Sequence, residues 1–371
     1  MKHTILFILH LPPPVHGAAM VGKYIHDSRV INEAFDCHYI NLTTARDLAD
    51  IGKVGIRKLK QFGALLCEIR REVKRLRPGL VYVTPNACGG AFYKDFVVVQ
   101  MLKQMGCSVV VHYHNKGVVT RQDRWFDDLL YRKFFRNLKV ILLAETLYND
   151  VKKYVSRDDV YICPNGIPET LTEEPEAERN NKIPHLLFLS NLLESKGVLV
   201  LLDACRILKG KGYSFVCDFV GGETAEIDAQ RFAVEVESRE LNNIVIYHGR
   251  KYGSDKEVFW RDADIFVFPS YYPNECFPLV LLEAMEHGVV CISTREGGIP
   301  DIIEDGKTGF IVERHNPEQL AEKIEELIKN PDLTTTFGTL SRQRFVEQFT
   351  LDVFEKNMTV LLDDIIKKHN I

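Results

Sequence analysis

Short apolar runs of strand length alternate along this chain with longer stretches in which apolar residues recur at helical spacing. In the first half the pattern predicts strands over 4–9, 38–41, 80–84, 108–113, 140–144 and 160–163, with helices over 18–28, 56–75, 91–105 and 125–136 between them. In the second half it predicts strands over 185–190, 214–221, 244–248, 265–269, 289–293 and 309–312. The helices there are expected over 197–209, 224–239, 256–261, 279–287 and 317–330. This alternation argues for parallel α/β units. The polar, proline-bounded stretch 169–184 reads as a linker. The expected fold is therefore α/β, with two facing Rossmann-like, doubly wound domains over 1–168 and 185–350. A C-terminal helical segment, 351–371, would pack back on the first domain. Open sheets of this kind bind ligands at the carboxyl ends of their strands, so two facing domains would form an active-site cleft.

A length of 371 residues exceeds one ordinary core, and 46% hydrophobic with 26% charged residues is a soluble globular composition. No apolar stretch reaches the length of a membrane span. The apolar start, 1–9, is short, and Pro12, Pro13, Pro14 and His16 follow where a signal peptide would carry small residues, so it reads as a strand. Nine scattered cysteines, none in a C-x-x-C, indicate reduced core residues in the cytoplasm and neither a disulfide framework nor a metal site.

The net charge of −4 hides an asymmetry. Residues 1–164 carry 25 Lys and Arg against 15 Asp and Glu, and the remainder carries 22 against 36. A basic half implies an anionic partner for that half alone. Its densest stretch, 53–77, sets Lys53, Arg57, Lys58, Lys60, Arg70, Arg71, Lys74, Arg75 and Arg77 around apolar residues at near-helical spacing. Such a stretch lies on an anionic membrane surface or packs as an ordinary amphipathic helix with a basic solvent face. No nucleic-acid partner is expected.

The chemistry concentrates at 274–285, where Glu275 and Glu283 flank a predicted helix start. Pro278 suits the first turn, the helix dipole favours a carboxylate at Glu275, and the free N–H groups of that turn can hold a phosphate. Glu283 lies within an apolar run, where a carboxylate needs a partner, either internal or a ligand. In the run from Ser190 to Gly197, Ser195 is placed to cap the next helix, which puts Lys196 in its first turn, where a cation opposes the dipole unless an anion is shared. A solvated surface lysine is the alternative. His112 and His114 close a strand on one face, and without a third ligand at recognisable spacing they read as structural, with one a candidate polar contact to substrate. The first strand runs into a Pro-rich turn and Gly17, either a plain turn or a place for a phosphate to approach the backbone. Asp262 and Asp264 form a D-x-D, but at the amino end of a strand, and are assigned to structural duty.

The chain resembles the family 4 glycosyltransferases of GT-B fold. The resemblance rests on Pro164-Asn165-Gly166-Ile167, the run from Leu187 to Gly197, Phe219-Val220-Gly221-Gly222, and Asp264 through Ser270. It continues through the Glu275/Glu283 pair, Gly297-Gly298-Ile299-Pro300-Asp301 and Gly306-Lys307-Thr308-Gly309. It implies a retaining, metal-independent transfer from a nucleotide diphospho-sugar, with no other cofactor, to a glycan or polyprenyl-diphosphate-linked acceptor in surface or capsular polysaccharide synthesis. By resemblance Glu283 holds the ribose hydroxyls, while Glu275 and the N–H groups near Phe277 and Leu279 bind sugar and diphosphate. Lys196 neutralises the leaving diphosphate and Gly17 borders it. His114 lies near the donor sugar, and Gly249 and Arg250 contact the base. The family often has Arg where Asn191 stands, so diphosphate neutralisation is weaker here or supplied by another residue. Ala18 in place of a second glycine crowds the phosphate approach. An epimerase of the same architecture and a non-catalytic nucleotide-sugar-binding subunit are the rival readings.

Overall fold

Six parallel strands in the order β2-β1-β3-β4-β5-β6 form the sheet of the N-terminal unit, which comprises Met1–Gly166 and Leu351–Ile371. Along the chain its elements are β1 (Thr4–Leu9), α1 (Gly17–Asp27), α2 (Arg29–Ala34), β2 (Asp36–Asn41), α3 (Ile56–Leu76) and β3 (Leu80–Val83). They continue with α4 (Gly89–Gln104), β4 (Val109–His112), α5 (Trp125–Phe135), β5 (Lys139–Leu142), α6 (Tyr148–Val151) and β6 (Val160–Ile162). This is a computed structural model that describes residues 2–13, 17–43, 56–171, 181 and 183–368, with only the backbone of 56–59. The inner strands are buried on both faces: Ile5 through Leu9 and Leu80 through Val83 are almost wholly inaccessible. Sequence reading did not resolve α2, which Ser28 caps by accepting from the Ile31 N–H at 3.2 Å.

The second unit, Ile167–Thr350, holds a six-stranded parallel sheet in the order β12-β11-β10-β7-β8-β9. It comprises β7 (His185–Leu189), α7 (Val198–Gly210), β8 (Val216–Val220), α8 (Ala229–Ser238), β9 (Val245–Tyr247), α9 (Ser254–Asp262) and β10 (Ile265–Phe268). After these come α10 (Leu279–Glu286), β11 (Val290–Thr294), α11 (Ile299–Ile302), β12 (Gly309–Val312), α12 (Pro317–Lys329) and α13 (Pro331–Gln348). The last helix, α14 (Leu351–Lys368), returns to the first unit and packs on α2. The strongly periodic α12 was predicted almost to the residue, whereas α13 was absent from the expectation. Of the predicted linker, 172–180 and 182 lie outside the described residues.

All nine cysteines are free; Cys163, Cys205, Cys217, Cys276 and Cys291 are buried and Cys67 is exposed. Among the described residues no helix is long and apolar enough to cross a membrane.

Candidate active site

In the second unit the chain runs from β7 outward to β8 and β9, then returns to lay β10 on the other side of β7. The connections leaving β7 and β10 therefore part in opposite directions at their carboxyl ends, which is where open α/β sheets open a crevice. The loop after β7 ends in a 3-10 turn, Glu194–Lys196, followed by Gly197 at φ 88°. A Cβ on Gly197 would lie 2.3 Å from the Pro269 carbonyl oxygen, so only glycine lets the two loops touch here. The Tyr271 N–H seals the contact by donating to the Ser195 carbonyl at 2.8 Å.

That contact brings Lys196 to Glu275. The lysine Nζ donates to Glu275 Oε2 at 2.6 Å, and the Ser270 hydroxyl donates to the same oxygen at 3.0 Å. Both charged side chains are largely buried, and the ammonium also lies over the rings of Tyr272, 4.6 Å from the centroid, and Phe268, at 5.3 Å. Aromatic faces and a carboxylate around one ammonium hold it in a single position with little water. Lys196 is not in the first turn of α7, and Ser195 does not cap that helix: the 3-10 turn intervenes, and Gly197 stands at the cap. The predicted clash with the helix dipole therefore does not arise.

Glu275 is held from the far side as well. Gly297, at φ 55°, runs so close that a Cβ would meet the Glu275 carbonyl oxygen at 2.2 Å, and the Gly298 N–H donates to the Cys276 carbonyl at 2.7 Å. Thr294 Oγ1 donates to the Ser270 carbonyl, tying the same loop to the end of β11. Pro278 occupies the cap position of α10 rather than its first turn, and no side chain caps this helix. The N–H groups of Leu279 and Val280 thus have no intrahelical acceptor, while the Leu281 N–H donates to the Pro278 carbonyl at 3.1 Å. Phe277 is buried beside them.

Glu283 does not lie bare among apolar neighbours. Leu281, Leu282, Ala284 and Met285 turn into the core, while Glu283 is half-buried and takes Lys256 Nζ of α9 on Oε1 at 2.8 Å. Burial raises its carboxyl above the ordinary glutamate range, and Lys256 pulls the other way. Its neighbour Glu286 is a structural carboxylate, accepting from the N–H and hydroxyl of Thr170 and from the Leu171 N–H. Lys256, Ser270 and Tyr272 are the residues around the two glutamates that sequence reading missed; only their proximity in the fold marks them.

The other residues expected of this unit sit at the same end of the sheet. Asn191 is exposed just after β7. Gly249 follows β9 at φ 67°, and its carbonyl accepts from the Gly221 N–H at 2.9 Å. The Arg250 guanidinium fills the space where a Cβ on Gly222 would be, 2.3 Å from Nη2. At the opposite end of the strands, Asp264 accepts from the His185 N–H at 2.8 Å and from Asn181 Nδ2 at 3.0 Å, a structural role.

In the first unit, β4 ends at His112, and the His114 ring lies 4.2 Å from that of His112. His112 is buried, with Nδ1 2.6 Å from the Tyr82 hydroxyl, and burial beside His114 holds it well below the usual imidazole range. Gly17 is the first residue of α1, and a Cβ there would meet nothing within 4 Å. Pro14, His16, Lys53 and the side chains of Arg57 and Lys58 lie outside the described residues.

A glycosyltransferase of Methanocaldococcus jannaschii, itself uncharacterized, is 32% identical to this chain over 277 residues, covering 72% of the chain and 70% of the relative. Residues 169–344 match the family model for glycosyl transferases group 1. The chain belongs to the group 1 glycosyltransferases. This glycosyltransferase is also 28% identical over 181 residues to the capsular polysaccharide biosynthesis glycosyltransferase CapM of Staphylococcus aureus, covering 49% of the chain and 46% of CapM. It spans about half the length of several of the curated relatives it matches, CapM among them. The Anabaena protein HepE, solved in complex with UDP, superposes with a TM-score of 0.72 at 15% identity, covering 98% of this chain and all of HepE; the fold is GT-B.

Proposed function

We propose that this chain is a family 4 enzyme that moves a sugar from a nucleotide diphospho-sugar to a glycan or lipid-linked acceptor, retaining the anomeric configuration. The observation that carries the reading is the Lys196–Glu275 pair at the strand switch of the second unit, beside an uncapped helix start. A diphosphate is the anion that suits both a buried ammonium and free helix N–H groups. Lys196 stabilises the charge that grows on the diphosphate as the C1–O bond to phosphate breaks. The acceptor hydroxyl forms its bond to C1 from the same side, and its proton passes to the departing phosphate oxygen. Glu275, relieved of Lys196, accepts from the hydroxyls of the donor sugar. Glu283, with Lys256 as its counter-ion, holds the ribose hydroxyls, and Gly249 and Arg250 contact the base. Lys196 supplies the positive charge, so the reaction needs no metal.

The name of CapM supports placing the reaction in surface or capsular polysaccharide synthesis, and HepE's ligand puts UDP among the candidate sugar carriers. We assign the enzyme to the cytoplasm, on the inner membrane surface through the basic stretch 53–77, whose apolar residues Leu65, Ile69 and Val73 turn inward while Lys60, Arg70, Arg71, Lys74 and Arg75 stay exposed. A thermal-shift screen across UDP-, GDP- and ADP-sugars tests the donor assignment. A donor at ~100 times its dissociation constant stabilises the fold by about 2.7 kcal/mol. No response to any nucleotide sugar, or turnover unchanged in Glu275→Ala, sinks the reading.

A further inference from the structure

We infer that the first unit docks on an anionic lipid bilayer by inserting an apolar wedge at the start of α4 and α5, with the basic face of α3 beside it on the headgroups. The inference rests on the membrane reading above and names the part of the surface that penetrates. Trp125 is 79% exposed, Phe126 48% and Leu129 44%, on a helix whose opposite side buries Asp127, Tyr131, Phe134 and Phe135. The core therefore does not require these apolar residues on the outer side. The rings of Trp125 and Phe126 lie 5.6 Å apart, and Tyr93 of α4 continues the cluster 6.1 Å from Phe126, with Val97 exposed one turn on. The Tyr93 hydroxyl donates to Asp127 Oδ1 at 2.7 Å, so α4 and α5 present this patch as one surface.

Charge chooses the occupant. Helices α3, α4 and α5 lie side by side, and residues 56–136, which contain all three, hold 16 Lys and Arg against 6 Asp and Glu. A convex cluster of Trp, Tyr, Phe and aliphatic residues next to such a surface matches the interface of an acidic bilayer: rings at headgroup depth, lysines and arginines on the phosphates. All three helices follow strands and start at the carboxyl end of the sheet, where Gly17 and His114 also lie. Docked in this way, that end of the unit is held against the surface from which a lipid-linked acceptor would come.

The two tryptophans separate the outcomes, because Trp260 is fully buried and Trp125 is not. Titrated with phosphatidylglycerol-containing vesicles, the protein should show a blue shift in emission. The shift should be absent with pure phosphatidylcholine and absent in Trp125→Phe, which still sediments with the anionic vesicles. The triple variant Trp125→Ala, Phe126→Ala, Leu129→Ala should bind those vesicles at least about tenfold more weakly. Its thermal stabilisation by a nucleotide sugar should match the wild type. Vesicle binding by the triple variant equal to wild type, or unmoved Trp125 emission on sedimented protein, overturns the wedge. A concentration-dependent dimer that the triple variant loses also overturns it, by giving the patch to a second copy. Vesicle binding that survives the triple variant but not Lys60→Gln, Arg71→Gln, Lys74→Gln leaves the basic-surface reading standing without the wedge. A wild type that binds the anionic vesicles through the wedge yet responds to no nucleotide sugar sinks the donor assignment and leaves the wedge standing.

Discussion

Lys196 Nζ and Glu275 Oε2 meet at 2.6 Å across the loops that follow two adjacent strands, 79 residues apart in the chain. Without a ligand each is the other's counter-ion in a site with little water, and in the proposed reaction an arriving diphosphate takes over the lysine. Removing either partner leaves a largely buried charge behind. Lys196→Ala and Glu275→Ala should each lower kcat by roughly 10²–10³. The double variant should fall little below the weaker single one, because residues that act as a unit are non-additive. Steady-state kinetics on the three variants checks this; losses that multiply would show that the two side chains work independently.

Tyr272 orients the ammonium from the other side, with its ring centroid 4.6 Å from Nζ. The face of the ring supplies that contact, not the hydroxyl. Tyr272→Phe should therefore keep kcat near the wild-type value, while Tyr272→Leu should lower it roughly two- to thirtyfold, the range of a partly desolvated cation–π contact. Equal kinetics for the phenylalanine and leucine variants would remove Tyr272 from the site.

Gly297 keeps Glu275 in place by carrying no side chain. A Cβ there meets the Glu275 carbonyl oxygen at 2.2 Å, and the backbone is already at φ 55°. Gly306 has a similar φ of 74° with open space around its missing Cβ, so it separates backbone strain from collision. Gly306→Ala should cost about 1–2 kcal/mol of stability and leave kcat alone. Gly297→Ala should cost more and lower kcat as well, because the loop bearing Glu275 must shift. Thermal melts paired with kinetics on both variants decide it; identical behaviour would mean that Gly297 does not position the carboxylate.

The strands were legible because a parallel sheet buries both faces and leaves uninterrupted apolar runs such as Leu80 to Val83. Helix α13 was not legible, and its packing shows why. Thr334, Thr335 and Thr336 break the apolar stripe, and Gly338 lets the helix backbone approach the turn after α10, where a Cβ would stand 2.2 Å from the Gly288 carbonyl oxygen. A helix docked through its backbone carries a weak periodic signal. At the site, residue types were readable and partnerships were not. The contact of Lys196 with Glu275 depends on β10 lying beside β7, and that of Glu283 with Lys256 on α9 coming alongside α10. Neither order follows from local pattern. Ser195 and Lys196 were misplaced because Gly197 in the left-handed region delays the start of α7.

Glu283 should make donor binding sensitive to mild acid. Burial raises its carboxyl above the ordinary range while Lys256 opposes the rise. In the proposed donor complex the carboxylate accepts two ribose hydroxyls and its protonated form cannot, so donor affinity should fall as the pH is lowered from neutral and Glu283 takes up a proton. Glu283→Gln should bind donor roughly ten- to hundredfold more weakly at neutral pH, the worth of hydrogen bonds to a charged group, and should lose most of the pH dependence. Calorimetric titration of the nucleotide diphosphate, repeated from neutral pH downward, checks both. A glutamine variant that keeps the wild-type pH profile would assign the sensitivity to another group.

His112 makes the stability of the first unit depend on pH in the same direction. Buried against Tyr82 and beside His114, it stays neutral in the folded protein well below the pH at which it takes a proton when unfolded. A histidine with a depressed folded pKa contributes stability that is complete above its unfolded value of 6.5. That stability is lost as pH falls below this value, because the unfolded chain then binds the extra proton. The loss approaches about 1.4 kcal/mol per pH unit until the folded form also titrates. His112→Gln should be less stable than wild type at pH 8 through the lost contact with Tyr82, yet show a shallower decline in melting temperature between about pH 6.5 and 5. Parallel melting curves for the two proteins across that window would mean that His112 is not the group responsible.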